Sequence, residues 1–343
     1  MRENWRENIQ LVREQTHRIQ DGSLPNPLAE IMLEAQSSGM IETMHHIREL
    51  AREGSLRSAM DEAYGAVQHT PGYLPLHSLM GELLMQESRT QDAIAKFSVV
   101  AQAYGARGEV NQASRLLRRI IQLAPMDLPA RRRLIDQLVA HDQVNEAIQE
   151  YIGMADIYYR QAELEIARQT YMTALRMVQQ TKVDRSWSIQ ILRRIADIDM
   201  QRLDWKEATR IYEQIRTIQP DDQAARKQLV GLYTRMGQVP QATFELERFL
   251  TYLESNGRTD ESLPFLQDLL MENEDSPFIR RALAEQLYQM GQTDKAVSQL
   301  DSLGEILLQS GKINEAVEVV GQILAMNPPN ANDYRTLLNQ IQK

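Results

Sequence analysis

The chain has 343 residues, with 38 Lys and Arg against 47 Asp and Glu, a formal net charge of −9 that argues against a binder of phosphate backbones. It has no cysteine, which excludes disulfides, thiolate metal sites and a cysteine nucleophile. Hydrophobic residues make up 43% and charged residues 25%, the proportions of a soluble folded chain, and no run approaches the roughly 18 apolar residues of a membrane-spanning helix.

Residues 1–39 are read as N-terminal capping helices. Residues 2–20 carry Trp5, Ile9, Val12 and Ile19 on one helical face, Pro25 and Pro27 break the pattern, and Leu28, Ile31, Met32 and Ala35 restart it. The first residues are charged and have no apolar core, so they are not a secretory signal, and a cytoplasmic protein is expected. Met1 is either a native start or the beginning of a piece of a longer protein.

From residue 40 a small residue recurs after a tight turn: Ala59, Ala93, Ala113, Ala147, Ala167, Ala208, Ala242, Ser262, Ala296 and Ala316. The intervals are 34, 20, 34, 20, 41, 34, 20, 34 and 20 residues, the spacing of a stacked helical array. Gly54, Gly108, Gly237, Gly257, Gly291 and Gly311 stand five residues ahead of six of them. The stretch from Thr90 to Asp127 is clearest. Ala93 opens a helix whose Phe97, Val100, Ala101 and Tyr104 share one face. Gly105 and Gly108 end it. Ala113 then begins a second helix with Leu116, Leu117, Ile120 and Ile121, which Pro125 stops. Two antiparallel helices approach closely beside a short turn, and only a small side chain fits there.

With Ala113 set at position 20 of a unit, Phe97, Val100, Ala101, Tyr104, Leu117, Ile120 and Pro125 fall at positions 4, 7, 8, 11, 24, 27 and 32. This resembles the tetratricopeptide repeat. Leu192, Ile195, Ala196, Ala208, Tyr212, Ile215 and Pro220 repeat the pattern. The resemblance covers about residues 40 to 343 and implies an all-α fold, a right-handed superhelical α-solenoid of antiparallel helices. It departs from the family at position 4, where the usual Trp is absent, and in the 20-residue interval. That interval holds one helix and one turn, so the helix from Ala93 to Tyr104 serves two units, giving some three-helix units.

Adding 149 to the first five marker positions gives the last five. Residues 40–180 are therefore read as a first array and 187–329 as its duplicate. The polar residues 181–186 are a seam or hinge, and 330–343 form a solubilising C-terminal cap.

No phosphate loop, nucleophile elbow, zinc-protease motif or EF-hand spacing occurs. Adjacent His45 and His46 point to different helix faces and do not chelate one ion. No cofactor or metal is expected. The resemblance implies that positions 2, 5, 9 and 12 line an inner groove, and position 5 is basic in four units, as Arg132, Arg193, Lys227 and Arg281. A guanidinium there suits a peptide carboxylate; the alternative is pairing with acidic residues of neighbouring helices. The functional expectation is a non-enzymatic scaffold that binds a peptide or partner helix in its groove. The alternative is a regulatory or sensory segment of a larger transcription-regulatory or signalling protein. Nucleic-acid binding is disfavoured by the acidic charge and the lack of aromatic stacking positions.

Overall fold

The computed structural model describes residues 38–181 and 183–341. The N-terminal segments read at 2–20 and 28–35 lie outside the described residues. Among the described residues stand seventeen α-helices, one 3₁₀ turn and no strand. The chain divides into two compact units, Met1–Gln161 and Ala162–Lys343. The first holds α1 Ser38–Arg52, α2 Leu56–His69, α3 Leu74–Gln86, α4 Thr90–Ala106, α5 Val110–Leu123, α6 Leu128–Ala140 and α7 Val144–Arg160. The second holds α8 Leu164–Gln180, α9 Ser186–Gln201, α10 Trp205–Ile218, α11 Gln223–Arg235, α12 Val239–Ser255, α13 Ser262–Glu272, α14 Pro277–Gln289, α15 Thr293–Gln309, α16 Ile313–Ala325 and α17 Ala331–Ile341. The seam at 181–186 is the α8–α9 connection, inside the second unit, where Asp184 Oδ1 accepts the Ser186 N–H at 2.9 Å.

Helices begin three residues ahead of their small marker because the turn sits there. All nine alanines and Ser262 are buried, and each follows by five residues a residue with positive φ. Six of these are the glycines. The other four are Ser88, Asp142, Ala162 and Leu203, with φ between 56° and 61°. A left-handed residue there turns the chain after a helix and lets the next N–H reach back to a carbonyl five residues earlier. Ser55 N thus donates to Leu50 O at 2.9 Å, Glu109 N to Tyr104 O at 2.9 Å and Asp204 N to Asp199 O at 2.9 Å. Gly105 proves to be helical, and Gly108, with φ of 74°, is the stop.

Each turn of this kind reverses the chain within three residues, so the joined helices are antiparallel neighbours. Helix α4 packs against both α3 and α5, and α15 against both α14 and α16, as helices serving two units must. Close approach also explains Gly81 in α3, where a Cβ would fall 2.3 Å from the Phe97 ring of α4.

Ties between alternate helices arrange each unit in two rows. In the first unit Arg119 of α5 bonds Glu82 of α3, and Arg118 of α5 bonds Glu146 of α7. In the second, Lys227 of α11 meets Asp268 of α13 at 2.8 Å, and Arg216 of α10 meets Glu245 of α12. Successive helices alternate between rows.

Five helix bounds recur at an offset of 149 residues. Shifting α2, α3, α4, α6 and α7 by 149 residues reproduces α10, α11, α12, α14 and α15 end for end. Two departures have local causes. Where α5 starts at Val110, its counterpart starts as the 3₁₀ turn Thr259–Glu261, because Pro264 lacks the N–H that would bond Asp260 and its ring crowds that carbonyl. Helix α16 stops at Ala325, ahead of Asn327 at φ of 51° and Pro328. The cap α17 is more than a polar end: Tyr334 is buried in the apolar cluster that holds Val320 and Leu303, and its hydroxyl donates to Asp301 of α15 at 2.7 Å. Burial and that carboxylate push the Tyr334 hydroxyl up to about 12.

Leu203 is 66% exposed, so its side chain packs little while its backbone is strained. Leu203→Gly is expected to stabilise the second unit by about 1 kcal/mol, and Gly291→Ala to destabilise it by a similar amount. Urea unfolding of the two variants measures both signs; a destabilising Leu203→Gly contradicts the assignment of strain.

Candidate functional site

The basic residues at the starts of α6, α9, α11 and α14 separate into two sets. The first clamps the array. Arg131, Arg226 and Arg280 each reach a residue nineteen positions later on the next helix: Arg131 to Glu150, Arg226 to Glu245 and Arg280 to Gln299. Arg226 and Arg280 also bond the carbonyl six residues back, Pro220 O at 2.9 Å and Glu274 O at 2.8 Å. The Arg131 guanidinium fills the space beside Gly153, where a Cβ would fall 2.7 Å from Nη1. The strongest member is buried. Glu245, only 2% exposed, lies between Arg226 and Arg216, and the Arg226 guanidinium lies 5.2 Å over the Phe249 ring. Phe249 in turn meets Phe265 edge-on, with centroids 4.7 Å apart.

The second set is the position-5 group, whose three members in the second unit are divided between its two rows. Arg193 of α9 and Lys227 of α11 lie in one row of the second unit. Arg281 of α14 lies in the other, and Arg132 is on α6 of the first unit. The cause is the helix that serves two units: after each one, the first helix of the next unit falls in the opposite row. Partners differ as well. Arg193 bonds Asp222, the residue whose Oδ1 also accepts the Ala225 N–H at the head of α11, and Lys227 bonds Asp268. Both serve the array. Arg132 and Arg281 have no hydrogen bond or ion pair among the described residues, and Arg132 only lowers the Tyr151 hydroxyl against the stronger raising effects of burial and Asp136.

Arg281 stands at two adjoining cavities. One, of about 380 Å³, lies between α12 and α14 and includes Thr243, Glu247, Glu254, Phe278, Glu285 and Gln286 in its wall. The other, of about 600 Å³, is bounded by the α13–α14 connection, with Ser276, Phe278 and Lys312. Three buried polar atoms here lack a partner: Arg281 Nε, Gln286 Nε2 and Ser276 Oγ. Gln137, 149 residues before Gln286, accepts from Ser114 Oγ through Oε1 at 3.0 Å; Leu263, 149 residues after that serine, offers no such donor to the Gln286 oxygen. Neither cavity was legible in the sequence, because each depends on which helices share a row. His45 and His46 go to different partners, Glu49 on their own helix and Glu62 on α2. No helix of the described residues is long and apolar enough to cross a membrane.

No protein-family model matches this chain, and no curated protein matches it. Solved structures do resemble it. A tetratricopeptide repeat protein from Parabacteroides merdae ATCC 43184 is 16% identical, with 73% of this chain and 99% of that one covered and a TM-score of 0.28. The P58(IPK) TPR domain is 14% identical over 88% of this chain and 99% of its own, with a TM-score of 0.28. The TPR-like repeats of a putative kinesin light chain from Podosopora anserina are 17% identical over 64% and 96%, with a TM-score of 0.30. These neighbours are tetratricopeptide-type helical repeats; the architecture of this chain stands on the packing of its own helices.

Removing one carboxylate from the buried cluster leaves Arg226 desolvated and unpaired. Glu245→Ala is expected to cost about 3–5 kcal/mol in urea unfolding, and Glu62→Ala, which breaks only the exposed contact with His46, under about 1 kcal/mol. Equal losses from the two would contradict the role given to burial.

Proposed function

We propose that this protein is a non-enzymatic tetratricopeptide-type scaffold and that the second unit holds a peptide segment of a protein partner along α12 and α14. The observation that carries this reading is Arg281, a guanidinium without an internal partner at the junction of two cavities. Each is within the size range of pockets that seat small ligands. A clamp arginine is already spent on its carboxylate; this one is free to donate.

The wall around Arg281 refines the kind of peptide. Glu247, Glu254 and Glu285 line the same cavity, so a purely acidic segment would be repelled. A segment with an acceptor for Arg281 and a basic side chain for those carboxylates fits the charges. Phe278 and Leu250 supply apolar contact between them. Affinity would come from several modest contacts around one anchor.

Selection of peptides from a random library on the immobilised protein tests this reading. The expected sequences place an acidic residue near a basic one, and Arg281→Ala is expected to weaken their binding about tenfold, the scale of one charge-assisted hydrogen bond. The Arg281→Ala melting curve should stay unchanged, since that side chain holds no helix in place. Selected peptides that bind the variant as tightly as the parent would overturn the proposal.

A further inference from the structure

The first unit carries a cavity of a different character. It measures about 250 Å³ and opens between α1, α3 and α5, with Arg48, Leu79, Glu82, Gln112, Arg115 and Leu116 in its wall. Arg48 and Arg115 have no hydrogen bond or ion pair among the described residues. Gln112 is 5% exposed, and its Nε2 is buried with no partner. A buried amide donor without an acceptor costs on the order of 1–3 kcal/mol, so a ligand that accepts from it recovers that loss.

The charges at this place run against those of the whole chain. Arg48 and Arg115 share the cavity wall with one carboxylate, Glu82, which Arg119, from outside the wall, engages at 3.4 Å through Nη2. Arg119 Nε is itself buried without a partner. With Glu82 engaged by Arg119, Arg48 and Arg115 leave two positive charges uncompensated in the wall, in a protein of net charge −9. The excess matches a dianion better than a single carboxylate. Two guanidinium forks and an amide N–H together suit the three strong acceptor oxygens of a phosphate group.

We propose that the cavity between α1, α3 and α5 binds a phosphate group as its dianion, with Arg48 and Arg115 as the cationic walls and Gln112 as the buried donor. Leu79 and Leu116 would face the carbon skeleton of an esterified phosphate. The first unit thereby recognises an anion independently of what the second unit holds. Inorganic phosphate and a phosphorylated side chain are two sources of the same chemistry, and two ligands separate them.

The test is calorimetric titration of the intact protein with inorganic phosphate and, separately, with O-phosphoserine, against chloride at equal ionic strength. Binding of both phosphates and not of chloride is expected, with O-phosphoserine tighter if the source is a phosphorylated side chain and inorganic phosphate tighter if it is the free ion. Arg48→Gln and Arg115→Gln should each weaken binding at least tenfold, while Arg210→Gln, at an exposed arginine paired with Glu207, leaves it unchanged. To separate binding from any change of fold in the variants, the same phosphate titration on the parent protein is followed by NMR at the guanidinium N–H groups, where Arg48 and Arg115 should shift and Arg210 should not. No binding to the parent, equal binding to Arg48→Gln and Arg115→Gln, or shifts that bypass both arginines would overturn the proposal.

Discussion

A left-handed residue followed five positions later by a side chain no larger than serine is the constraint from which the rest of this structure follows. The first element reverses the chain; the second lets the reversed helix lie close to its predecessor. All ten turns of this kind have both parts. Once two helices are joined this way, each can bury its remaining apolar face only on the next helix, and stability becomes a sum of neighbour interfaces. The Arg–Glu clamps add cross-ties to that sum, and the buried Arg216–Glu245–Arg226 group holds three successive helices together.

Much of this was legible because it is local. The buried alanines and Ser262 were readable from spacing alone, and the 149-residue offset reappears in the bounds of five helix pairs. The non-glycine turns were not readable. Nothing in the letters of Ser88, Asp142, Ala162 or Leu203 announces positive φ; only their place in the repeat does, and the strain is carried by the packing of the helices on either side. The starts of helices were also displaced, since a marker at the point of closest approach lies one turn inside its helix.

Sites were less legible than the fold for a reason of the same kind. The three position-5 basic residues of the second unit are equivalent in sequence but not in space, because a helix that serves two repeats moves the next repeat to the other row. Arg193 and Lys227 consequently meet acidic side chains of row neighbours, while Arg132 and Arg281 do not. The cavities beside Arg281 and beside Arg115 each depend on three or more helices, and no spacing rule in the chain reports that. Gln286 and Gln112 show what such places have in common: a buried donor left without an acceptor.

The central claim is that the small residue at the tenfold marker sets helix approach, and a single enlargement tests it. Ala147→Leu should lower the urea-unfolding free energy by about 1–3 kcal/mol through overpacking, whereas Val99→Leu, at a site 68% exposed on α4, should change it by less than about 0.5 kcal/mol. An Ala147→Leu protein as stable as the parent would contradict the account.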